Sequence, residues 1–243
     1  MAWDESKVKR VKKGSSEGGQ FTTKEGIERA GTAAREAAGL TKDGWRTGSG
    51  DTELAKSLDL QGIDKHTTND ISEKLDMIIA KYPFLKDKLV SIEVTDTGTA
   101  YAYMGSDGVL QISKYWYKRP DELIKQWESG ALTQVTPAGI DHRSIITHEM
   151  GHLLDRQLSL AYTDKYTTDE FAFSRASTII KERLLSSMGI TEHDIASGVS
   201  KYATFNDKEF FAECFSEYID SVNPRPIAIK FGNLLEEMIK ELL

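Results

Sequence analysis

The stretch SIITHEMGHLLDRQLS, residues 144–159, combines a helical apolar pattern with the pattern H-E-x-x-H. His148 and His152 stand four residues apart, so on an α-helix they lie on one face, about one turn apart. Both imidazoles can therefore reach a single metal ion. Glu149 is rotated by about 100° from His148, which places it beside such an ion rather than among its ligands. The spacing favours metal-assisted hydrolysis; the alternative is a chance alignment of three polar residues.

Gly151 lies inside the same motif, in a helix that the pattern predicts over residues 141–160 with Asp141 as its candidate N-cap. A glycine in a helix interior costs about 1 kcal/mol relative to alanine. We expect a physical reason for this cost, namely the close approach of another element at this position. The glycine therefore argues against the chance alignment.

Composition excludes several classes of protein. The chain has 243 residues and a net charge of −7, and it holds no run of about 18 apolar residues that would span a membrane. The acidic balance argues against general nucleic-acid binding, with the basic segment at residues 7–13 as an exception. No apolar core follows that segment, so no signal peptide is predicted. Cys214 is the sole cysteine and cannot form an internal disulfide; it is interpreted as a small buried apolar residue.

Two regions are predicted along the chain. Residues 1–60 form a flexible, basic and Gly-rich arm with a possible short helix, and residues 61–243 form the compact domain. The domain begins with a helix that Thr68 or Asn69 caps and Pro83 ends. Strands follow, with a hairpin turn at residues 105–108, and then helices continue to the C terminus. The predicted fold class is therefore α+β, with a small mixed sheet and a helical C-terminal half.

A catalytic zinc keeps three protein ligands and one open position, so the motif needs a third ligand. The candidates are Asp155, His193, Glu209 and Glu213. Asp155 follows His152 too closely to be a natural ligand, and its short side chain suits support of a ligand imidazole.

The two glutamates belong to a row at i, i+4 and i+8 on one helical face, which Glu217 completes. Carboxylates among apolar neighbours are costly to bury unless a cation or a donor compensates them. Asn206 precedes Glu209 by three residues, which is close to a capping-box pattern. Spacing alone leaves open which of Glu209 and Glu213 is the ligand and which has another task.

The segment KYATFNDKEFFAECF, residues 201–215, resembles the downstream motif of the anthrax lethal factor-type zinc peptidase domain. That family pairs a helix reading H-E-x-G-H, followed shortly by Asp, with a second helix reading E-F-F-A-E-x-F. A tyrosine stands seven residues before the first glutamate of the second helix. The matching residues here are His148, Glu149, Gly151, His152, Asp155, Tyr202, Glu209, Phe210, Phe211, Ala212, Glu213 and Phe215.

The resemblance implies a zincin-like fold from about Thr67 to Leu243, with Zn²⁺ as the cofactor. It implies that Glu209 is the third zinc ligand, after the two histidines. It implies that Glu213 supports a ligand histidine, a task that Asp155 could share, and that the Tyr202 hydroxyl donates a hydrogen bond to the reaction's oxyanion. Glu149 is then the general base of a zinc endopeptidase that acts on a protein or peptide substrate.

Peptidases of this type bind substrate as an added strand at a sheet edge. The strand at residues 108–113 is the candidate edge, and an ordinary hairpin strand is the equal alternative. The arm resembles basic, Gly-rich segments of phage head-associated proteins. This implies a phage- or prophage-encoded enzyme, virion-associated or toxin-like in the host cytoplasm, whose arm contacts a capsid protein or nucleic acid. The alternative for the arm is a solvated tail. The rival hypothesis is a non-catalytic structural or adaptor protein that retains the zincin fold.

Overall fold

The computed structural model describes residues 62–63, 65–132, 135–137, 139–166 and 175–243. The arm predicted over residues 1–60 lies outside them. The predicted α+β class is confirmed: the described part contains eight α-helices and one three-stranded mixed sheet. In this part of the chain no helix is both long and apolar enough to cross a membrane.

The elements follow in chain order, with 3-10 turns at Pro83–Leu85 and Tyr202–Thr204. They are α1 (Lys65–Lys81), β1 (Ser91–Thr95), β2 (Ala102–Met104), β3 (Val109–Ser113), α2 (Lys114–Tyr117), α3 (Pro120–Leu132), α4 (Ser144–Tyr166), α5 (Ala176–Met188), α6 (Glu192–Gly198), α7 (Asp207–Asp220) and α8 (Pro226–Leu242).

The sheet has the strand order β1-β3-β2, with β1 parallel and β2 antiparallel to β3. The prediction that residues 108–113 form an edge is therefore wrong, because β3 is paired on both sides. The predicted hairpin between β2 and β3 is confirmed, with Gly105 donating its N–H to the Val109 carbonyl at 2.8 Å. Gly108 closes this turn at φ +84°, where a Cβ would also lie 2.2 Å from the Lys88 carbonyl oxygen.

Two predicted helix starts are wrong. Helix α1 begins at Lys65, ahead of both proposed caps. The predicted start was too late because the first turn of the helix is polar and carries no apolar signal. Helix α4 begins at Ser144, and the Asp141 carboxylate instead accepts a hydrogen bond from the Arg143 N–H at 2.9 Å in the turn before the helix. The predicted Asn206 cap of α7 is confirmed, since its side chain accepts from the N–H groups of Lys208 and Glu209.

Helix α4 lies in the core and is packed against its neighbours on most of its circumference. Helix α7 packs on it and contributes three phenylalanines that are 0 % exposed, Phe210, Phe211 and Phe215, each worth about 1.5–3 kcal/mol of apolar burial. Phe211 also meets Phe231 of α8 edge to face, with ring centroids 4.9 Å apart. Cys214 is buried beside them, as predicted. These contacts fix the position of α7 along the axis of α4.

Gly151 marks the contact between these two helices. A Cβ at this position would lie 3.0 Å from the Ala212 Cα and 3.2 Å from the Phe215 Cδ1. The expected close approach of a second element is thus confirmed. The missing side chain lets the backbone of α7 approach α4 one residue away from His152.

Replacing Gly151 with alanine should destabilise the protein relative to a matched glycine replacement. Gly130 is the control, because it also lies in a helix, α3, but its added Cβ would meet nothing closer than 3.8 Å. Both variants gain about 0.5–1 kcal/mol of helix propensity. Only Gly151→Ala also carries an overpacking cost of about 1–3 kcal/mol. Urea unfolding of the metal-free chains measures the difference, and equal stabilities would contradict this account of Gly151.

Candidate metal centre

The described residues contain a group of three side chains that could hold a metal ion: His148 and His152 of α4, and Glu209 of α7. One ligand atom from each lies within 4.8 Å of the others. The Glu209 Oε2 lies 3.1 Å from His148 Nε2 and 3.4 Å from His152 Nε2. Glu209, 57 residues after His152 and 61 after His148, thus converges with the two histidines on one point.

The two distances from Glu209 are compatible with a metal ion held between the three side chains. Zinc binds imidazole nitrogen and carboxylate oxygen at about 2.0–2.1 Å, and tetrahedral geometry then puts neighbouring ligand atoms roughly 3.3 Å apart. The two distances from Glu209 lie on either side of this value. Two imidazoles with one carboxylate also form a donor set that leaves a fourth position open, as catalytic zinc sites do.

Glu209 is available for this position because Asn206 caps α7 by itself. The Asn206 side-chain oxygen accepts from the Lys208 N–H at 2.9 Å and from the Glu209 N–H at 3.1 Å. The Glu209 carboxylate contacts the two histidines. The spacing left open whether Glu209 caps the helix or binds the metal. Its side chain is not used as a cap, so it is free to be a ligand.

Glu213 stands one turn further along α7 and contacts the other side of the His148 ring. Its Oε1 lies 2.8 Å from His148 Nδ1, and the side chain is buried. A carboxylate on the second nitrogen orients an imidazole and leaves the first nitrogen free for a metal. The structure thus brings Glu213 to the location that support of a ligand histidine requires.

Several carboxylates surround the two histidines, and they shift the pKa values at the site. Burial lowers the pKa of His148, but hydrogen bonds to Glu209 and Glu213 outweigh it and raise that pKa to about 10. Burial raises the pKa of Glu209, and its hydrogen bonds to both histidines outweigh this and lower the pKa to about 2. Without a metal, the carboxylates therefore hold a proton on His148 at neutral pH.

Glu149 lies outside the ligand group, as the helix geometry predicts. It is 7 % exposed, and burial raises the pKa of its carboxyl group. Its Oε2 accepts a hydrogen bond from the Met104 backbone N–H at 2.7 Å, which ties α4 to strand β2. A fixed, buried carboxylate whose pKa is raised is a stronger base than an exposed one.

Tyr202 stands at the mouth of the same site. It begins the 3-10 turn, is 44 % exposed, and its ring centroid lies 5.9 Å from that of His148. Burial, followed by the charges of Glu209 and Glu149, raises the pKa of its hydroxyl to about 12. The hydroxyl therefore stays protonated at neutral pH and can act as a hydrogen-bond donor.

Two other sequence candidates have different surroundings. The Asp155 carboxylate accepts from the Ser177 N–H at 2.7 Å, at the start of α5, where a helix leaves its first N–H groups without partners. One Asp155 oxygen therefore caps α5, and the support of an imidazole by this carboxylate stays a prediction. His193 is exposed on α6 and is not part of the three-residue group.

No family model, curated protein or solved structure matches this chain. Two contacts at the site were missed by sequence reasoning: the Met104 N–H that holds Glu149, and the Ser200 hydroxyl, which donates to Glu213 at 2.7 Å. A backbone donor has no signature in the sequence, and an isolated serine in a connecting segment carries no spacing signal.

Proposed function

We propose that this protein is a zinc-dependent endopeptidase that cleaves a protein or peptide substrate. His148, His152 and Glu209 would hold the zinc, and the observation that carries the proposal is the convergence of their ligand atoms within 4.8 Å. Glu149 beside them distinguishes a hydrolytic site from a purely structural one, which closes its fourth position with another ligand. The same residues carry the resemblance to lethal factor-type domains, which supports a zincin fold as part of the proposal.

Bound zinc would supply Lewis acidity, which polarises the scissile carbonyl and lowers the pKa of water to about 7. Glu149 takes a proton from the attacking water and passes it to the amine that leaves. The protonated Tyr202 hydroxyl donates a hydrogen bond to the oxyanion as its charge develops. Glu213 keeps the His148 ring turned so that Nε2 faces Glu209 and His152.

Strand β2 is the sheet edge that supports substrate binding in this proposal. Ser113 donates its N–H to the Tyr101 carbonyl, and Gly105 donates to the Val109 carbonyl, so the backbone groups of Ala102 and Met104 point away from β3. The outward Met104 N–H reaches Glu149. An extended peptide that pairs with β2 would therefore run past the general base, which β3 cannot offer because both its sides are paired.

The test uses the full chain, a zinc titration and cleavage of a denatured protein pool. We expect about one zinc per chain, cleavage that a chelator abolishes, and recovery when zinc is added back. Chelator-resistant cleavage would contradict the role of the metal. Stoichiometric zinc without any cleavage of the pool would favour the adaptor hypothesis over the enzyme.

A further inference from the structure

Ser200 lies between α6 and the 3-10 turn of Tyr202, and it is 0 % exposed. Its hydroxyl is used twice. It donates to the Glu213 Oε2 at 2.7 Å, and its oxygen accepts from the Ala203 backbone N–H at 3.0 Å. A serine hydroxyl offers one donor and two acceptor lone pairs, so one small group connects a carboxylate to a backbone turn.

The Glu213 carboxylate divides its oxygens between two partners. Oε1 faces His148 Nδ1 at 2.8 Å, and Oε2 accepts from Ser200. A carboxylate at Nδ1 favours the ring form in which Nδ1 donates the hydrogen bond, and this form leaves Nε2 for a metal. The orientation of the ligand ring thus depends on a carboxylate that Ser200 holds from behind.

An ion pair between Glu217 and Arg225 also holds the backbone next to Ser200. Glu217, one turn beyond Glu213 on α7 and 0 % exposed, binds Arg225 through two contacts, at 2.8 Å to Nε and 2.6 Å to Nη2. Arg225 also donates to the carbonyl of Val199, the residue before Ser200. Bidentate pairs of this kind restrict geometry strongly. Helix α7 therefore holds the Val199–Ser200 segment at two points, one turn apart.

The second contact of Ser200, with the Ala203 N–H, connects it to the turn that carries Tyr202. Ala203 belongs to the 3-10 turn Tyr202–Thr204, so its N–H fastens the turn that carries Tyr202. The Tyr202 N–H in turn donates to the Val135 carbonyl at 3.3 Å. The ring of Tyr202 and the ring of His148, 5.9 Å apart, are thus positioned through the same hydroxyl.

We propose that Ser200 is a positioning residue that couples the Glu213–His148 pair to the Tyr202 turn. Without its hydroxyl, Glu213 loses the donor that fixes one oxygen, and the turn loses the acceptor for Ala203. Both zinc affinity and the rate of the chemical step then fall. The metal part rests on the proposed zinc site, and the rate part rests on the proposed peptidase activity.

The experiment compares Ser200→Thr with Ser200→Val, two variants of the same shape that differ in the hydroxyl. Ser200→Ala removes the hydroxyl without adding bulk. Ser72→Ala is the remote control, because Ser72 is also a buried serine and its hydroxyl donates to the Thr68 carbonyl in α1 at 2.9 Å. Zinc affinity of each full-length variant is measured by competition with a chromogenic chelator, and unfolding midpoints of the metal-free chains report general damage.

We expect Ser200→Ala and Ser200→Val to bind zinc about 10–100-fold more weakly than wild type, the usual loss when an outer partner of a ligand is removed. Ser200→Thr should retain more of the affinity than Ser200→Val, and Ser72→Ala should bind as wild type does. On a cleaved substrate at saturating zinc, Ser200→Ala should lower kcat more than it raises KM, since Tyr202 acts on the transition state.

Wild-type zinc affinity in Ser200→Ala would overturn the proposal, and so would equal losses in Ser200→Thr and Ser200→Val. The proposed activity fails separately: a wild-type chain that binds zinc but cleaves nothing still allows the affinity comparison. A wild-type chain that binds no zinc overturns both.

Discussion

Replacing Glu149 with glutamine should lower kcat by about 10²–10⁴-fold while the zinc stays bound, because a glutamine cannot take a proton from water. The side chain lies outside the three-residue ligand group, so its charge is not needed to hold the metal. The glutamine oxygen can still accept from the Met104 N–H, which the carboxylate does at 2.7 Å, so the link between α4 and β2 survives. Zinc content and cleavage of a denatured protein pool are measured on the same samples.

Glu149→Ala is the comparison that separates chemistry from structure. It also stops cleavage, but it leaves the Met104 N–H at the sheet edge without its acceptor, which should cost an additional 1–3 kcal/mol or so of unfolding free energy if that donor stays buried. Glutamine should avoid this cost. If Glu149→Gln binds zinc and cleaves at the wild-type rate, Glu149 is not the base and the peptidase mechanism above is wrong.

Glu209→Ala should weaken zinc binding by more than about 100-fold, beyond the range found when an outer partner is lost. Its Oε2 is the atom that approaches both histidine Nε2 atoms, so its removal takes away one of three ligands. Glu213→Gln should cost about 10–100-fold, because a glutamine offers one oxygen where the carboxylate serves His148 and Ser200 with two. Chelator competition at constant pH and ionic strength gives both values.

Glu237→Ala controls for the loss of a negative charge, since Glu237 is exposed on α8. It should leave the zinc affinity unchanged, because an exposed charge is screened by salt. The order of the two site variants is decisive. A larger loss for Glu213→Gln than for Glu209→Ala would exchange their assignments and place the ligand one turn further along α7.

Local patterns predicted most of the elements. The apolar spacing of α4 and α7, the Asn206 cap and the turn at residues 105–108 all depend on neighbours within a few positions, and all are present. Gly151 belongs with them, because its local cost in a helix had to be offset by a contact elsewhere. The two wrong helix starts have different causes. The start of α1 was placed too late because its polar first turn gives no apolar signal, and that of α4 too early because Asp141 stabilises the turn before the helix.

The residue types of the site and their helical spacing are properties of the sequence alone. His148, Glu149 and His152 share α4 by periodicity, and Glu209 and Glu213 share one face of α7. Only the tertiary structure decides which carboxylate meets both histidines, because burial of Phe210, Phe211 and Phe215 and the contact at Gly151 set the position of α7 along the axis of α4. The tertiary structure also decided the strand order, since alternation shows which face of a strand is buried but not which strands lie beside it. It likewise decided that an Asp155 oxygen caps α5, because a carboxylate can cap a helix only where the fold has brought that helix's first N–H groups to it.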